Sequence, residues 1–215
     1  VPGRVNTRLV PPLTDEQAAE LQGAWIRDAM ERPYGMHTGE THRTLFVSGE
    51  SVLWREASAR GWQIRVQEDG DLGARLLAAF PAAEQRAMAT VCLGTDAPDL
   101  PNDYVEEAFN ALAAHEVVLG PTFDGGYYLI GARQRHPALF EKMPWSTANL
   151  AAETIRRAAS KSLSTAIIAP WWDIDTIADL RRFELHSKQP WAGLSPWRPE
   201  RSILLARQLL AERCT

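Results

Sequence analysis

The chain has 215 residues, 45% of them apolar and 23% charged, with a net charge of −4 at neutral pH; this suits one sizeable core and supplies no basic footprint for nucleic acid. Lys and Arg are scattered, and no apolar run approaches the roughly 18 residues of a membrane span. Cys92 and Cys214 form neither a metal-binding spacing nor a disulfide framework, and no signal peptide is read, so a reducing cytoplasm is the expected compartment and Cys92 a small buried hydrophobe.

Thr14-Asp15-Glu16-Gln17 is a capping-box pattern, and Ala18, Leu21, Trp25 and Ala29 follow at helical spacing, which predicts the first helix. A polar loop from Arg32 to Arg43 then leads to a strand at Thr44–Ser48. Next come a helix at Val52–Ala59 stopped by Gly61, and an alternating strand at Trp62–Gln67. Leu72–Phe80 reads as helix and Thr90–Leu93 as a buried strand. Pro101 suits the first turn of a helix running to about Ala114.

Val117–Leu119 and Tyr127–Ile130 lie too close together for a crossover helix, so antiparallel pairing enters the sheet there. A helix around Asn149–Ala159, a strand at Thr165–Ala169, a short helix after Thr176 and a last one from Pro199 towards Glu212 complete the pattern. The Trp- and Pro-rich stretch Pro190–Pro199 reads as a surface connection, and residues 1–215 are expected to form a single α/β domain.

Three acidic segments abut these strands. Asp96 follows Leu93-Gly94, at a strand's carboxyl end where α/β folds place ligands, and magnesium commonly takes one or two carboxylates plus substrate phosphates. A turn aspartate capping the next segment is the competing reading. Asp173 and Asp175 fall on one side of an extended segment and can converge on an ion, unless one of them caps the helix near Ile177. Asp124-Gly125-Gly126 is by itself an ordinary hairpin turn, although paired glycines also let a ligand approach backbone amides, with Tyr127 next door.

Gly70-Asp71-Leu72-Gly73 before a helix offers amides to an anion but matches neither of the common phosphate-loop patterns. Val1 to Leu9 is either a frayed terminus or a Pro-Gly loop whose Arg4 and Arg8 wrap phosphate oxygens. The five histidines show no metal spacing.

Taken in order, P-G-R-V-x-T-R-L at Pro2–Leu9, Q-x-x-G-D-L-G-x-R at Gln67–Arg75 and G-T-D-A-P-x-L-P at Gly94–Pro101 resemble the bacterial DUF2064 proteins. So do L-G-P-x-x-D-G-G-Y-Y-L-I-G at Leu119–Gly131, P-W-S-T at Pro144–Thr147 and D-I-D-T-x-x-D-L at Asp173–Leu180. That family is glycosyltransferase-like, and the resemblance implies a GT-A/Rossmann-like three-layer sandwich with a mixed, mostly parallel sheet. It implies a nucleotide-sugar or nucleoside-triphosphate site made by the N-terminal Gly/Arg loop, with Asp96 in the metal-binding position; joined to the Asp173/Asp175 pair, this gives the expectation of a nucleotide or nucleotide-sugar donor bound through Mg2+ or Mn2+ on Asp96, Asp173 and Asp175. Gly3, Arg4, Thr7, Arg8, Gln67, Gly70, Asp71, Gly73 and Thr95 then fall on the nucleotide and its phosphates. Gly125, Gly126, Tyr127, Trp145, Ser146 and Thr147 fall on a small-molecule acceptor, with Asp124 as its base.

Asn6 stands where the family usually has Lys, and an apolar strand usually precedes the Pro-Gly loop, so the sheet is expected to lack its first strand. A nucleotidylyltransferase attacking the α-phosphorus of a nucleoside triphosphate, and a non-catalytic nucleotide-binding protein, are the rival expectations. No nucleic-acid or membrane partner is expected, and the sequence leaves the oligomeric state open.

Overall fold

The capping box forms where the sequence puts it: Thr14 Oγ1 accepts from the Gln17 amide at 3.2 Å, and the Thr14 amide donates to Gln17 Oε1 at 3.0 Å. The structure is a computed structural model that describes residues 1–34, 41–82, 89–189 and 197–212. The middle of the loop expected between Arg32 and Arg43, most of the connection expected over Pro190–Pro199, and His37 and Cys214 lie outside the described residues. The chain divides into two compact units, one of Val1–Tyr34, Thr95–Asn102 and Asp173–Thr215, the other of Gly35–Gly94 and Asp103–Trp172.

The first unit is helical. Leu21 and Trp25 of α1 (Asp15–Glu31), Leu180 and Phe183 of α6 (Ile177–His186), and Ile203, Ala206 and Leu209 of α7 (Glu200–Ala211) bury one core together with Leu9, Leu13 and Ile174. A charge inside it is fully employed. Asp28 of α1, 2% exposed, accepts from the Ser202 amide at 2.8 Å and from Ser202 Oγ at 2.6 Å. Ser202 lies in the first turn of α7, whose amides have no partner within the helix, so a carboxylate on one helix caps another and meets the positive end of its dipole.

Among the described residues the second unit carries every strand. β1 (Thr44–Val47) and β2 (Gln63–Val66) pair in parallel, with α2 (Val52–Ala59) between them in sequence. A four-stranded sheet runs in the order β3 (Thr90–Leu93), β5 (Tyr127–Ala132), β4 (Val117–Pro121), β6 (Thr165–Ile167). β5 is antiparallel to β3 and to β4, and β4 is parallel to β6, so three strands of this sheet share one direction and β5 alone opposes them. The mixed pairing expected from the short Leu119–Tyr127 interval is therefore present.

Period-two alternation sorts the side chains. Val117, Leu119, Ile130 and Ala132 face a cluster with Phe80 at the end of α3 (Leu72–Ala79) and with Ala151 and Ala158 of α5 (Leu150–Ser160). On the opposite face Gly131 lies against Val118 and Leu112, just past α4 (Asn102–Ala111), and where the register shifts at Gly120/Pro121 the Tyr128 ring comes to lie over Gly120 on this face, 6.3 Å from that of Tyr104. Helices on both faces of a mixed sheet make the expected three-layer α/β arrangement.

The described strands form two ladders. Among the described residues β1 pairs only with β2 and β3 only with β5. An edge strand leaves its side chains less covered, and all four residues of β3 are half-buried, whereas β4 is buried from Val117 to Gly120. Cys92 in β3, expected to be a small buried hydrophobe, is half-buried beside the sheet's core cluster, because β3 is an edge strand, and its shielding from water pushes the thiol up to about 12.

Replacing Asp28 with Ala leaves the Ser202 amide and hydroxyl in the first turn of α7 without their acceptor. We expect Asp28→Ala to lower the unfolding free energy by about 2–3 kcal/mol, seen as a lower urea midpoint at unchanged slope. A loss below about 0.5 kcal/mol, the range of ordinary surface changes, would show that α7 does not depend on this cap.

Candidate active site

Within the first unit two of the three acidic segments come together. The Ile174 amide donates to the Asp96 carbonyl at 2.9 Å, and the Ile174 side chain, 2% exposed, plugs into the helical core. With Ile174 pointing inward, its neighbours project the other way, and carboxylate oxygens of Asp173 and Asp175 lie within 4.8 Å of each other. Both residues, like Asp96, are half-buried.

Neither carboxylate is spent on the next helix. Thr176 caps α6, and Asp179 closes the box by accepting from the Thr176 amide at 2.9 Å and from Thr176 Oγ1 at 2.6 Å. The capping role held open for Asp173 or Asp175 thus belongs to Thr176, with Asp179 as its capping-box partner.

The segment carrying Thr95 and Asp96 is clamped from several sides. Gln22 Nε2 of α1 donates to Thr95 Oγ1 at 2.8 Å, Arg32 Nη2 to the Pro98 carbonyl at 2.5 Å, and Asn102 Nδ2 to the Pro33 carbonyl at 2.8 Å. Asp99 is fully buried, 3.2 Å from His186 Nδ1 of α6. Burial pulls the Arg32 guanidinium below its ordinary pKa, against the opposing pull of Tyr34, Asp99 and Asp28.

The N-terminal loop reaches the same acidic segment. Leu9 is fully buried in the helical core, and beside it Arg8 Nη1 pairs with Asp175 Oδ2 at 2.5 Å. Two residues assigned to different jobs, phosphate binding and metal ligation, here hold each other. Thr7 opens a short 3-10 turn, Arg4 is exposed, and Gly3 takes φ +73° against the Asp15 carboxylate. Asn6 is left-handed at φ 50°, a conformation Asn tolerates better than Lys, and its Nδ2 donates to the Ala18 carbonyl at 3.4 Å.

In the second unit, three of the motifs meet through the segment Trp145–Ala148. Asp71 caps α3, its Oδ1 accepting from the Ala74 amide at 2.9 Å, while Gln67 Oε1 accepts from Arg75 at 3.4 Å. A Cβ on Gly73 would fall 2.2 Å from the Phe140 carbonyl and 3.0 Å from the Trp145 ring. Gly125 has φ +94°, and a Cβ there would fall 1.9 Å from the Ala148 carbonyl, so glycine is required in the hairpin turn for conformation and for space. Ser146 is left-handed at φ 60°, and Thr147 Oγ1 donates to the Pro144 carbonyl at 2.8 Å.

That turn also orients Asp124. Its Oδ1 accepts from Thr122 Oγ1 at 2.5 Å and from the Gly126 amide at 3.1 Å, while among the described residues Oδ2 accepts no hydrogen bond. Tyr127 packs towards the sheet's core cluster, where burial pushes its phenol above the ordinary value, and Tyr128 on the other face donates to the Ala169 carbonyl at 2.9 Å. The sequence reading passed over Gln22, Arg32, the buried Asp99 with His186, and the rings of Tyr104, Trp171 and Trp172. The doubled Trp beside D-I-D-T and the doubly proline-flanked Asp99 were the available signals.

The family model described as uncharacterized protein conserved in bacteria (DUF2064) matches residues 36–147. The 1.90 Å crystal structure of a protein from Desulfovibrio desulfuricans G20, provisionally named a nucleotide-diphospho-sugar transferase, aligns with a TM-score of 0.76 at 26% identity, covering 98% of this chain and 91% of that one. A CMP:2-keto-3-deoxy-manno-octonic acid synthetase complexed with CTP aligns with a TM-score of 0.47 at 16% identity, covering 74% and 85%. No curated protein matches. Among the described residues no helix is long and apolar enough to cross a membrane.

The division between cap and acidic surface is testable by stability alone. Asp179→Ala removes a capping box and should cost about 1 kcal/mol. Asp175→Asn breaks only a partly exposed ion pair and should change stability by less than about 1 kcal/mol. Chemical denaturation of both variants checks this, and a larger loss for Asp175→Asn would make that residue structural.

Proposed function

The chain belongs to the DUF2064 family and has the fold of nucleotide-diphospho-sugar transferases, and from that premise we propose that it is a transferase using a nucleotide-activated sugar donor held through a divalent cation. The observation that carries this reading is the Ile174 anchor, which sets the Asp96 segment beside a pair of half-buried carboxylates and an arginine.

The donor set fits the ion. Magnesium takes hard oxygen ligands at about 2.1 Å, so two of them on one ion lie no more than about 4.2 Å apart, close to the 4.8 Å limit on the Asp173 and Asp175 oxygens. Asp96, Asp173 and Asp175 would hold Mg2+ or Mn2+, whose chemistry when bound is to neutralise the diphosphate and the charge on the leaving group.

Arg8 has the complementary task. In the donor-free protein it neutralises Asp175. A donor diphosphate would offer the guanidinium a stronger, bidentate partner than Asp175, and Arg8 would then bind phosphate while Asp175 remains available as a ligand. Exposure of 59% on the Arg8 side chain leaves it free to swing. Asp124, its Oδ1 fixed by two donors, presents Oδ2 as the base for the acceptor hydroxyl.

A thermal-shift panel of nucleoside diphosphate sugars and nucleoside triphosphates, with and without magnesium, tests the reading. A ligand at about a hundred times its Kd adds about 2.7 kcal/mol of stability; we expect that scale of shift for a nucleotide sugar with magnesium, lost in a folded Asp96→Asn variant, and nucleoside diphosphate release with an acceptor. Selective binding of a triphosphate with pyrophosphate release would replace transfer at the sugar by nucleotidyl transfer, and unchanged affinity in Asp96→Asn would remove Asp96 from the metal.

A further inference from the structure

The second unit holds a line of aromatic rings that runs from its buried interior to its surface. Tyr104 of α4 meets Trp171 edge to face, with centroids 5.4 Å apart and planes at 84°, and Trp171 stacks on Trp172 at 4.4 Å and 25°. Trp172 in turn faces Phe123 at 6.5 Å and 28°. Exposure rises along the line: Trp171 is 7% exposed and Phe123 67%.

The backbone fixes where the line emerges. The Trp171 amide donates to the Pro121 carbonyl at 3.1 Å, and Trp171 bridges Thr122 in parallel, so Trp171 and Trp172 extend the strand edge alongside β4. They meet the turn at its base. Phe123 and Asp124 are the turn's outward residues, both exposed. Turns favour Gly, Pro, Asn, Asp and Ser, so turn chemistry does not ask for Phe at this place. The ring stands in water, backed by a second ring, next to a carboxylate with one oxygen fixed and the other accepting no hydrogen bond among the described residues.

An aromatic face beside an acceptor-only oxygen selects a neutral ring with an apolar C–H face and hydroxyl donors at its rim. A phosphate or carboxylate at the same spot would meet the Asp124 charge. We propose that Phe123, supported by Trp172, is a stacking platform for the hydroxylated, sugar-like ring of the acceptor, with one ring hydroxyl donating to Asp124 Oδ2. This rests on the reading that Asp124 serves the acceptor.

Saturation-transfer NMR with the methyl glycosides of glucose, galactose, mannose and xylose as probes, and guanosine as a flat aromatic control, tests it on the full chain. We expect transfer to the ring C–H protons of at least one glycoside, with an affinity roughly tenfold weaker in Phe123→Ala and within about twofold of the parent in Phe123→Tyr, which keeps the ring. Far-ultraviolet circular dichroism confirms that each variant is folded. No glycoside binding by the parent chain, equal affinity in Phe123→Ala, or ring-dependent binding of guanosine alone would overturn the platform.

The magnesium-dependent nucleotide-sugar shift, measured on the same proteins, separates the two claims. Ring-dependent glycoside binding without that shift upholds the platform and removes the transferase reading; the shift with glycoside binding indifferent to Phe123 does the reverse.

Discussion

The acidic surface of the first unit depends on one buried side chain. Ile174 sits in the helical core while its amide holds the Asp96 carbonyl, and this forces Asp173 and Asp175 outward together. Burying an isoleucine is worth about 1.5–3 kcal/mol, and two like charges about 4 Å apart repel by about 1 kcal/mol in bulk water and about 4 kcal/mol near a protein surface. The anchor and the Arg8 guanidinium together offset that repulsion. A carboxylate pair held close in this way gains most from a cation, which gives the arrangement a chemical direction and not merely a shape.

The Asp96 segment is equally constrained, by buried polar groups. Arg32, 4% exposed, spends a donor on the Pro98 carbonyl, and the fully buried Asp99 lies against His186. Burying charges is costly unless each is paired, and removing one partner leaves the other stranded, so such a clamp holds its loop in one conformation. Rigid support of this kind is what a binding group at a strand's carboxyl end needs. The second unit uses a different device: glycines at 73 and 125 allow backbone and ring to approach where any side chain would clash, which locks the segment at Trp145–Ala148 between two turns.

Much of this was legible in sequence because it is local. Thr14 with Gln17 spelled out a capping box, and the interval between Leu119 and Tyr127 was too short for a crossover, so antiparallel pairing followed. Ile174 between two aspartates gave the shared face by simple alternation. What could not be read was long-range. Arg8 and Asp175 are 167 positions apart, and Asp99 and His186 are 87 apart. No periodicity joins them, and only the packing of α1 with α6 and α7 does. Asp71 shows the opposite difficulty: a residue in a phosphate-binding pattern also makes a good N-cap, and local chemistry alone does not separate the two uses.

The most direct test of the account is calorimetric titration of Mn2+ into the protein, with a nucleoside diphosphate present, for the parent chain and for a folded Asp173→Asn/Asp175→Asn variant. The account predicts one saturable ion per parent chain beyond that carried by the free nucleotide, and none in the variant. Equal binding by the two proteins would show that the carboxylates gathered around Ile174 are not the cation's ligands.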